Sequence, residues 1–196
     1  MENNDALSAR ESLQLIESMI HKAQNRINEN GTLYLLWGWV VFICSLGHYL
    51  MIKFAWIKQP AYIWALTWLV IIYQIIYISR KEKTEKVKTY TDEMIGYVWM
   101  AFGICMGIVT FIMYQLGTWG MLYSLILLFY GIPTFLSGAI MRFRPLIIGG
   151  ICCWGLSMLS VFVQSVEIIL FLIPAVLSAW IIPGYLLRAR YKSAIA

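Results

Sequence analysis

Six apolar runs follow one another along this chain, and their length restricts what it can fold into. They lie at about 33–52, 61–79, 94–114, 121–141, 146–166 and 168–187. About 20 residues of helix, at 1.5 Å per residue, cross the roughly 30 Å of hydrocarbon in a bilayer. Each run is long enough, and none carries a charge in its central part. The sequence therefore predicts an all-α, polytopic membrane protein with six transmembrane helices between residues 32 and 188.

The composition excludes a water-soluble domain. Hydrophobic residues make up 61% of the 196 residues and charged residues only 13%, whereas soluble domains hold about 45–50% and about 25%. A soluble fold of this length could not bury so much apolar surface, but a bilayer can surround it. The net charge of +5 is then explained by membrane topology, so we expect no nucleic-acid partner.

The division between the fifth and sixth runs is weakly marked. Gln164, Ser165 and Glu167 are the only residues that interrupt the apolar sequence there. An alternative with four spans treats residues 146–187 as one re-entrant unit.

Lysine and arginine counts in the loops predict the orientation. Alternate segments hold 13 of these residues on one side and 2 on the other. Because cytoplasmic loops carry the excess of positive charge, we expect both termini on the cytoplasmic side of a bacterial inner (plasma) membrane. The short tail 189–196 is cytoplasmic in this arrangement.

Residues 1–31 are predicted to form an amphipathic cytoplasmic helix. Its apolar side chains follow the 3–4 spacing of a heptad and include Leu13, Ile16, Ile20 and Ile27. The helix has a net charge of −2, whereas residues 80–90 have a net charge of +3. We expect the two to associate, or to bind a cytoplasmic protein partner, with contacts from Arg80, Lys81 and Lys83. Homo-oligomerisation is the alternative.

Three polar features are candidate sites. His48 is the only histidine in a span, and an ionisable side chain in a membrane is by default a functional candidate; a structural histidine at the interface is the alternative. A shallow outward-facing pocket could be lined by His48, Gln115, Gln164 and Glu167, or these could be solvated surface residues. Arg142 and Arg144 form a tight cytoplasmic turn that would contact lipid phosphate or a partner.

Other features concern helix packing. Pro133, Pro174 and Pro183 lie inside spans and are predicted kink sites. Gly96, Gly103 and Gly107 share one face of the third span, which marks it as a central helix or a dimer surface. Cys44, Cys105, Cys152 and Cys153 lie at mid-membrane depth. Soft sulfur ligands suit Cu(I), but the spacing favours core packing, and we expect no metal or other cofactor.

Internal similarity suggests three parallel helical hairpins. Spans one, three and five each contain Ile-Cys followed by Gly, and spans four and six share Ile-Pro-x-x-Leu-Ser. Internal repeats of this kind occur in transporters, although apolar sequences also align by chance.

The stretches ENGTLYLLWGW (Glu29–Trp39) and IPTFLSGAIMRFRPLIIGGICCW (Ile132–Trp154) resemble a family of small, uncharacterised multi-span membrane proteins from bacteria of the Bacteroidetes group. The resemblance covers most of the chain and implies a bacterial inner-membrane protein. It implies no functional residues.

Two functions follow from these patterns. The sequence contains no nucleophile with an adjacent base, no metal cluster and no glycine-rich phosphate loop, so we expect a protein that is not an enzyme. The first expectation is a membrane scaffold or a regulatory or sensor subunit that acts through its N-terminal helix and basic loop. The alternative is a transporter or channel for a small neutral or apolar solute.

Overall fold

The computed structural model of the chain describes residues 31–55, 57–84, 90–117, 119–163 and 165–195, and within these ranges it describes the side chains of all but 81–84 and 194–195. The described part is entirely helical and contains no strand. The amphipathic helix predicted at residues 1–31, with its contacts at Leu13, Ile16, Ile20 and Ile27, lies outside the described residues except for Gly31.

The helices, in chain order, are α1 (Thr32–Lys53), α2 (Leu66–Thr84), α3 (Tyr90–Leu116), α4 (Leu122–Ile140) and α5 (Arg144–Ser160). A 3-10 turn, Pro60–Ala65, leads directly into α2. The last helical segment, here called α6, has four consecutive pieces: a 3-10 turn (Val166–Phe171), an α-helical turn (Leu172–Val176), a π-helical turn (Leu177–Ile181) and an α-helix (Ile182–Ile195).

Five of these segments are long and apolar enough to cross a membrane, as expected for a multi-pass membrane protein. They are Thr32–Lys53, Pro60–Arg80, Tyr90–Leu116, Leu122–Ile140 and Val166–Ser193. α5 is also apolar but has only 17 residues. The fifth run was expected to stay helical to residue 166, whereas the helix ends at Ser160 and α6 begins at Val166. α6 in turn continues through the predicted tail to Ile195.

Four helices form the core and two lie outside it. Within the most apolar window of each segment, 39–50% of the residues are buried in α1, α4 and α6, compared with 6% in α2 and 6% in α3. α5 packs along α4 and against α6, α2 packs along α1, and α3 packs along α4. Among the described residues, exposed apolar side chains are therefore contributed mainly by α2 and α3.

Glycines bring the core helices close together. A methyl group on Gly138 of α4 would lie 2.7 Å from the backbone nitrogen of Ile147 in α5. One on Gly149 of α5 would lie 2.5 Å from the carbonyl oxygen of Ser178 in α6. Without a hydrophobic force between helices in lipid, such close approach gives the dispersion contacts that hold a bundle together.

The glycines of α3 do not take part in this packing. A methyl group on Gly96, Gly103 or Gly107 would meet nothing within 4 Å. Among the described residues, α3 turns a different face, with Trp99 and Phe102, towards the core, so these glycines do not contribute to the packing that the structure describes. That they mark a central helix or a dimer surface stays a prediction.

An aromatic cluster fills the centre of the bundle around the π-helical turn. Trp180 is 2% exposed, and its ring lies 4.5 Å from that of Tyr130 and 6.0 Å from that of Trp99, measured between centroids. Its indole Nε1–H donates to Thr134 Oγ1 at 3.0 Å, and the Thr134 hydroxyl donates to the Tyr130 carbonyl oxygen. The polar end of the buried indole is therefore satisfied inside the bundle.

The prolines differ in their effects. Pro133 lies within α4, whose helix continues from Leu122 to Ile140. Pro174 precedes the π-helical turn, and the Ser178 hydroxyl donates to the carbonyl oxygen of Pro174 at 2.8 Å. Pro183 is the second residue of the following α-helical piece. Helical irregularity is thus concentrated in α6, which starts with a 3-10 turn and has its π-helical turn between Pro174 and Pro183.

Candidate functional site

The bundle has two polar ends, here called the arginine end and the histidine end. The arginine end holds the start of α1 at Gly31, the α4–α5 turn at 141–143 and the last turns of α6. The histidine end holds His48 and Lys53 of α1, the 3-10 turn before α2 and the turn between α5 and α6. The two ends differ in charge and in chemistry.

The arginine end gathers exposed basic side chains from separate helices. A methyl group on Gly31 would lie 2.5 Å from the Gly184 carbonyl oxygen, so α1 starts against α6. Gly149 of α5 meets Ser178 of α6, and α5 also contacts the last helical piece of α6, Ile182–Ile195. The exposed cations at this end include Arg142, Arg144, Arg188, Arg190 and Lys192, and Arg80 lies at the same end of α2.

The α4–α5 turn holds its two arginines in unfavourable local positions. Arg142 has φ of +50°, a left-handed conformation that ordinarily favours glycine at a helix C-terminus. Arg144 is the first residue of α5, where the helix dipole repels positive charge. Met141 and Phe143 are buried on either side, so the turn is anchored while both arginines project outwards.

At the histidine end, His48 joins three parts of the chain through one nitrogen atom. Its Nδ1 accepts a hydrogen bond from Trp64 Nε1 at 3.0 Å and lies 3.0 Å from Tyr123 Oη. His48 is 7% exposed. The 3-10 turn before α2 and the first turn of α4 are thereby tied to α1. Trp64 and Tyr123 lie 16 and 75 positions from His48, and no sequence pattern linked them to it.

The predicted outward-facing pocket is assembled only in part. Glu167 lies at the histidine end and accepts a hydrogen bond from Ser165. It interacts electrostatically with Lys53, whose ammonium donates to Tyr49 Oη at 3.1 Å. Gln115 lies exposed near the end of α3, a helix that packs along α4 rather than α1. Gln164 lies outside the described residues.

An apolar groove runs between α3 and α4, with a volume of about 310 Å³. Its floor includes Pro133, one of the predicted kink sites. The lining is almost wholly apolar and consists of Tyr97, Val98, Ala101, Phe102, Cys105, Phe129, Ile132, Pro133 and Leu136.

The cysteines do not converge on one point. Cys44 and Cys153 are buried, whereas Cys105 and Cys152 are exposed. Across the part of the chain that the structure describes, no group of three or more His, Cys, Asp or Glu side chains could hold a metal ion.

The predicted basic loop is described only at its edges. Arg80 is exposed near the end of α2. The backbone of Lys81 and Lys83 continues this helix, but their side chains are outside the described set. The predicted contact of this loop with the N-terminal segment stays a prediction.

Comparison of the chain with protein-family models, curated proteins and solved structures finds no match.

Proposed function

We propose that this protein is a non-enzymatic scaffold or regulatory subunit of a bacterial inner membrane. In this proposal it crosses the bilayer six times, with both termini and the arginine end in the cytoplasm. The observation that carries the proposal is the set of exposed basic side chains from three helices that meet where the N-terminal segment enters the bundle.

The charge distribution between the ends supports the orientation. Among described side chains, the arginine end has six cations: Arg80, Arg142, Arg144, Arg188, Arg190 and Lys192. The histidine end has two, Lys53 and Lys58. Because cytoplasmic loops carry the excess of lysine and arginine, this difference supports a cytoplasmic location of the arginine end.

The sixth crossing is supported by the direction of α5. The helix starts at the arginine end and runs antiparallel to α4, with which it shares its closest contacts. Ser157 donates to the Ser124 carbonyl oxygen at 2.8 Å, and Ser160 donates to the Ser124 hydroxyl at 2.7 Å. Hydrogen bonds of this kind between helices hold a span inside a bundle.

The docking surface in this proposal is the arginine end, and its first partner is the acidic N-terminal segment of the same chain. That segment has a net charge of −2 and joins α1 beside Gly184. Arg142 and Arg144 occupy positions that local backbone and helix-dipole preferences disfavour. Such departures are expected where a side chain serves a function. A cytoplasmic protein with an acidic helix of similar heptad spacing would compete with the N-terminal segment for the arginine end.

Photo-crosslinking tests the proposal in the full-length protein reconstituted into nanodiscs. A photo-reactive residue at Ile20 should crosslink to the α4–α5 turn or the end of α6. Reversal of Arg142, Arg144 and Arg188 to glutamate should abolish the crosslink, whereas Lys58→Glu at the opposite end should leave it unchanged. An unchanged crosslink in the triple variant would contradict the proposal.

The apolar groove favours a second candidate, a transporter or channel for a small apolar or neutral solute. The observation that favours it is the almost wholly apolar lining of the groove, which suits an apolar solute. Ala101→Phe would fill the groove, and Gly103→Phe would place the same ring on a face of α3 where nothing lies within 4 Å of a methyl group. Flux into proteoliposomes that is lost only in the first variant would support transport. Absence of flux in the wild type would argue against it.

A further inference from the structure

The hydrogen bonds at His48 determine which form of its ring is present. An indole N–H can only donate, so the Nδ1 atom that receives the Trp64 N–H must offer a lone pair. The ring is therefore neutral, with its proton on Nε2. Tyr123 also approaches Nδ1, at 3.0 Å, but a hydroxyl can donate or accept. The two partners thus differ in how they would respond to a proton on Nδ1.

The 3-10 turn that carries Trp64 is attached to the bundle by few polar contacts. Cys44 Sγ lies 3.5 Å from the Ile63 carbonyl oxygen, a weak hydrogen bond for a thiol. The next described link is the hydrogen bond from Trp37 Nε1 to Gln74 Oε1, at 2.6 Å, near the middle of α2. Apolar packing adds to these contacts, since Ile63 lies against Gly47 of α1 and Trp64 packs against the core. Only 6% of the apolar window of α2 is buried, so these few contacts are a large share of its attachment.

We infer that His48 is a proton-sensitive clasp that holds the start of α2. A proton added at Nδ1 uses the lone pair that accepts the Trp64 N–H, and the two N–H groups then oppose each other. Tyr123 rotates its hydroxyl and accepts from the new N–H instead. Protonation therefore releases the Trp64 indole from His48 of α1, while the link between α1 and α4 is kept. Tyr123, which also interacts with Trp64, remains as the polar contact of the 3-10 turn.

The charged and titratable groups near the clasp come from each element around it. α1 itself contributes Cys44, Tyr49 and Lys53, and the first turn of α4 contributes Tyr123. The start of α6 contributes Glu167, and the 3-10 turn before α2 contributes Tyr62, which is 72% exposed. Lys53 and Glu167 act on each other. An exposed histidine changes charge between about pH 5 and 8. His48 is only 7% exposed, and burial disfavours the charged ring, so the test follows the signal from pH 8 down to the lower end of this range.

Nuclear magnetic resonance of the indole groups tests the clasp directly. The full-length protein, labelled with nitrogen-15 at tryptophan and held in nanodiscs, gives one Nε1–H signal per indole. Trp64→Phe and Trp37→Phe identify two of these signals. Between pH 8 and pH 5 the Trp64 signal should move in a single titration to the position of an indole without this hydrogen bond. The Trp37 signal should stay fixed, because its acceptor, Gln74, does not titrate.

His48→Asn provides the decisive variant. An asparagine Oδ1 can accept from Trp64 but gains no proton in this pH range, so the Trp64 signal should become independent of pH. His21→Asn, which removes the other histidine of the chain, should leave the titration unchanged. A Trp64 signal that stays fixed in the wild type, or that still titrates in His48→Asn, would overturn the inference. The wild-type experiment decides the question even if the variant fails to fold.

Discussion

Replacement of Gly149 by alanine is expected to force α5 away from α6. The new methyl group would lie 2.5 Å from the Ser178 carbonyl oxygen, 2.6 Å from Ala179 Cα and 3.1 Å from the Ala179 nitrogen. These are backbone atoms, which cannot rotate away as the end of a side chain can. Ordinary contact begins at 3.4 Å, so the helices must separate by 3.4 minus 2.5, or about 0.9 Å.

Two opposing effects determine how much Gly149→Ala changes the free energy of unfolding. Overpacking of a tight interface costs about 1–3 kcal/mol, and three backbone contacts place Gly149→Ala in the upper half of that range. The better helix propensity of alanine returns up to about 1 kcal/mol. Gly155→Ala, on the same helix, has the same gain in helix propensity. It causes no steric clash, because nothing lies within 4 Å of its added methyl group. Gly149→Ala should therefore be about 2–3 kcal/mol less stable than Gly155→Ala.

Unfolding by sodium dodecyl sulfate in bicelles, followed by circular dichroism, measures the difference. Both variants are compared with the wild type in the same lipid mixture and at the same protein concentration. Equal free energies of unfolding for the two variants would refute the reasoning, since it would mean that α5 and α6 are not in close contact at Gly149.

Three further changes test separate contacts. Trp180→Phe and Thr134→Val each remove the hydrogen bond between these residues, and their double-mutant cycle should give a coupling of about 0.6–1.7 kcal/mol in the same unfolding assay; a coupling of zero would contradict the contact. Gln74→Leu should displace the Trp37 indole resonance without moving other tryptophan signals, and an unmoved signal would show that α2 lies elsewhere. Arg142→Gly should raise the free energy of unfolding by up to about 1 kcal/mol, because glycine adopts positive φ without strain; a loss of stability would mean that the arginine side chain stabilises the turn.

The positions of the helices could be predicted because the bilayer sets their length. The apolar runs predicted five helices that are long enough to span a bilayer. Pro145 lies in the first turn of α5, a position that its fixed φ favours. The end of α5 was misplaced by about six residues. Apolar residues continue past Ser160 into the turn, and hydropathy alone cannot separate an apolar turn from a helix.

The helix faces could not be predicted. In water, a helix shows its buried face by its apolar side, but in a bilayer every face is apolar. Gly96, Gly103 and Gly107 of α3 therefore looked as suitable for packing as Gly138 and Gly149, although only the latter two meet a neighbouring helix. The polar partners of His48 were equally inaccessible to sequence reasoning, because they depend on which helices are neighbours.

The unequal lengths of neighbouring helices have a consequence for the surrounding lipid. α4 and α5 have 19 and 17 residues, or about 28 and 26 Å of rise, whereas the apolar run 94–114 of α3 beside them would rise about 31 Å. Lipid that covers the α4–α5 side is matched to a hydrocarbon layer thinner than about 30 Å, while α3 must tilt or extend beyond it. Hydrophobic mismatch of this kind would make the protein prefer thinner bilayers and would couple the tilt of α3 to membrane thickness.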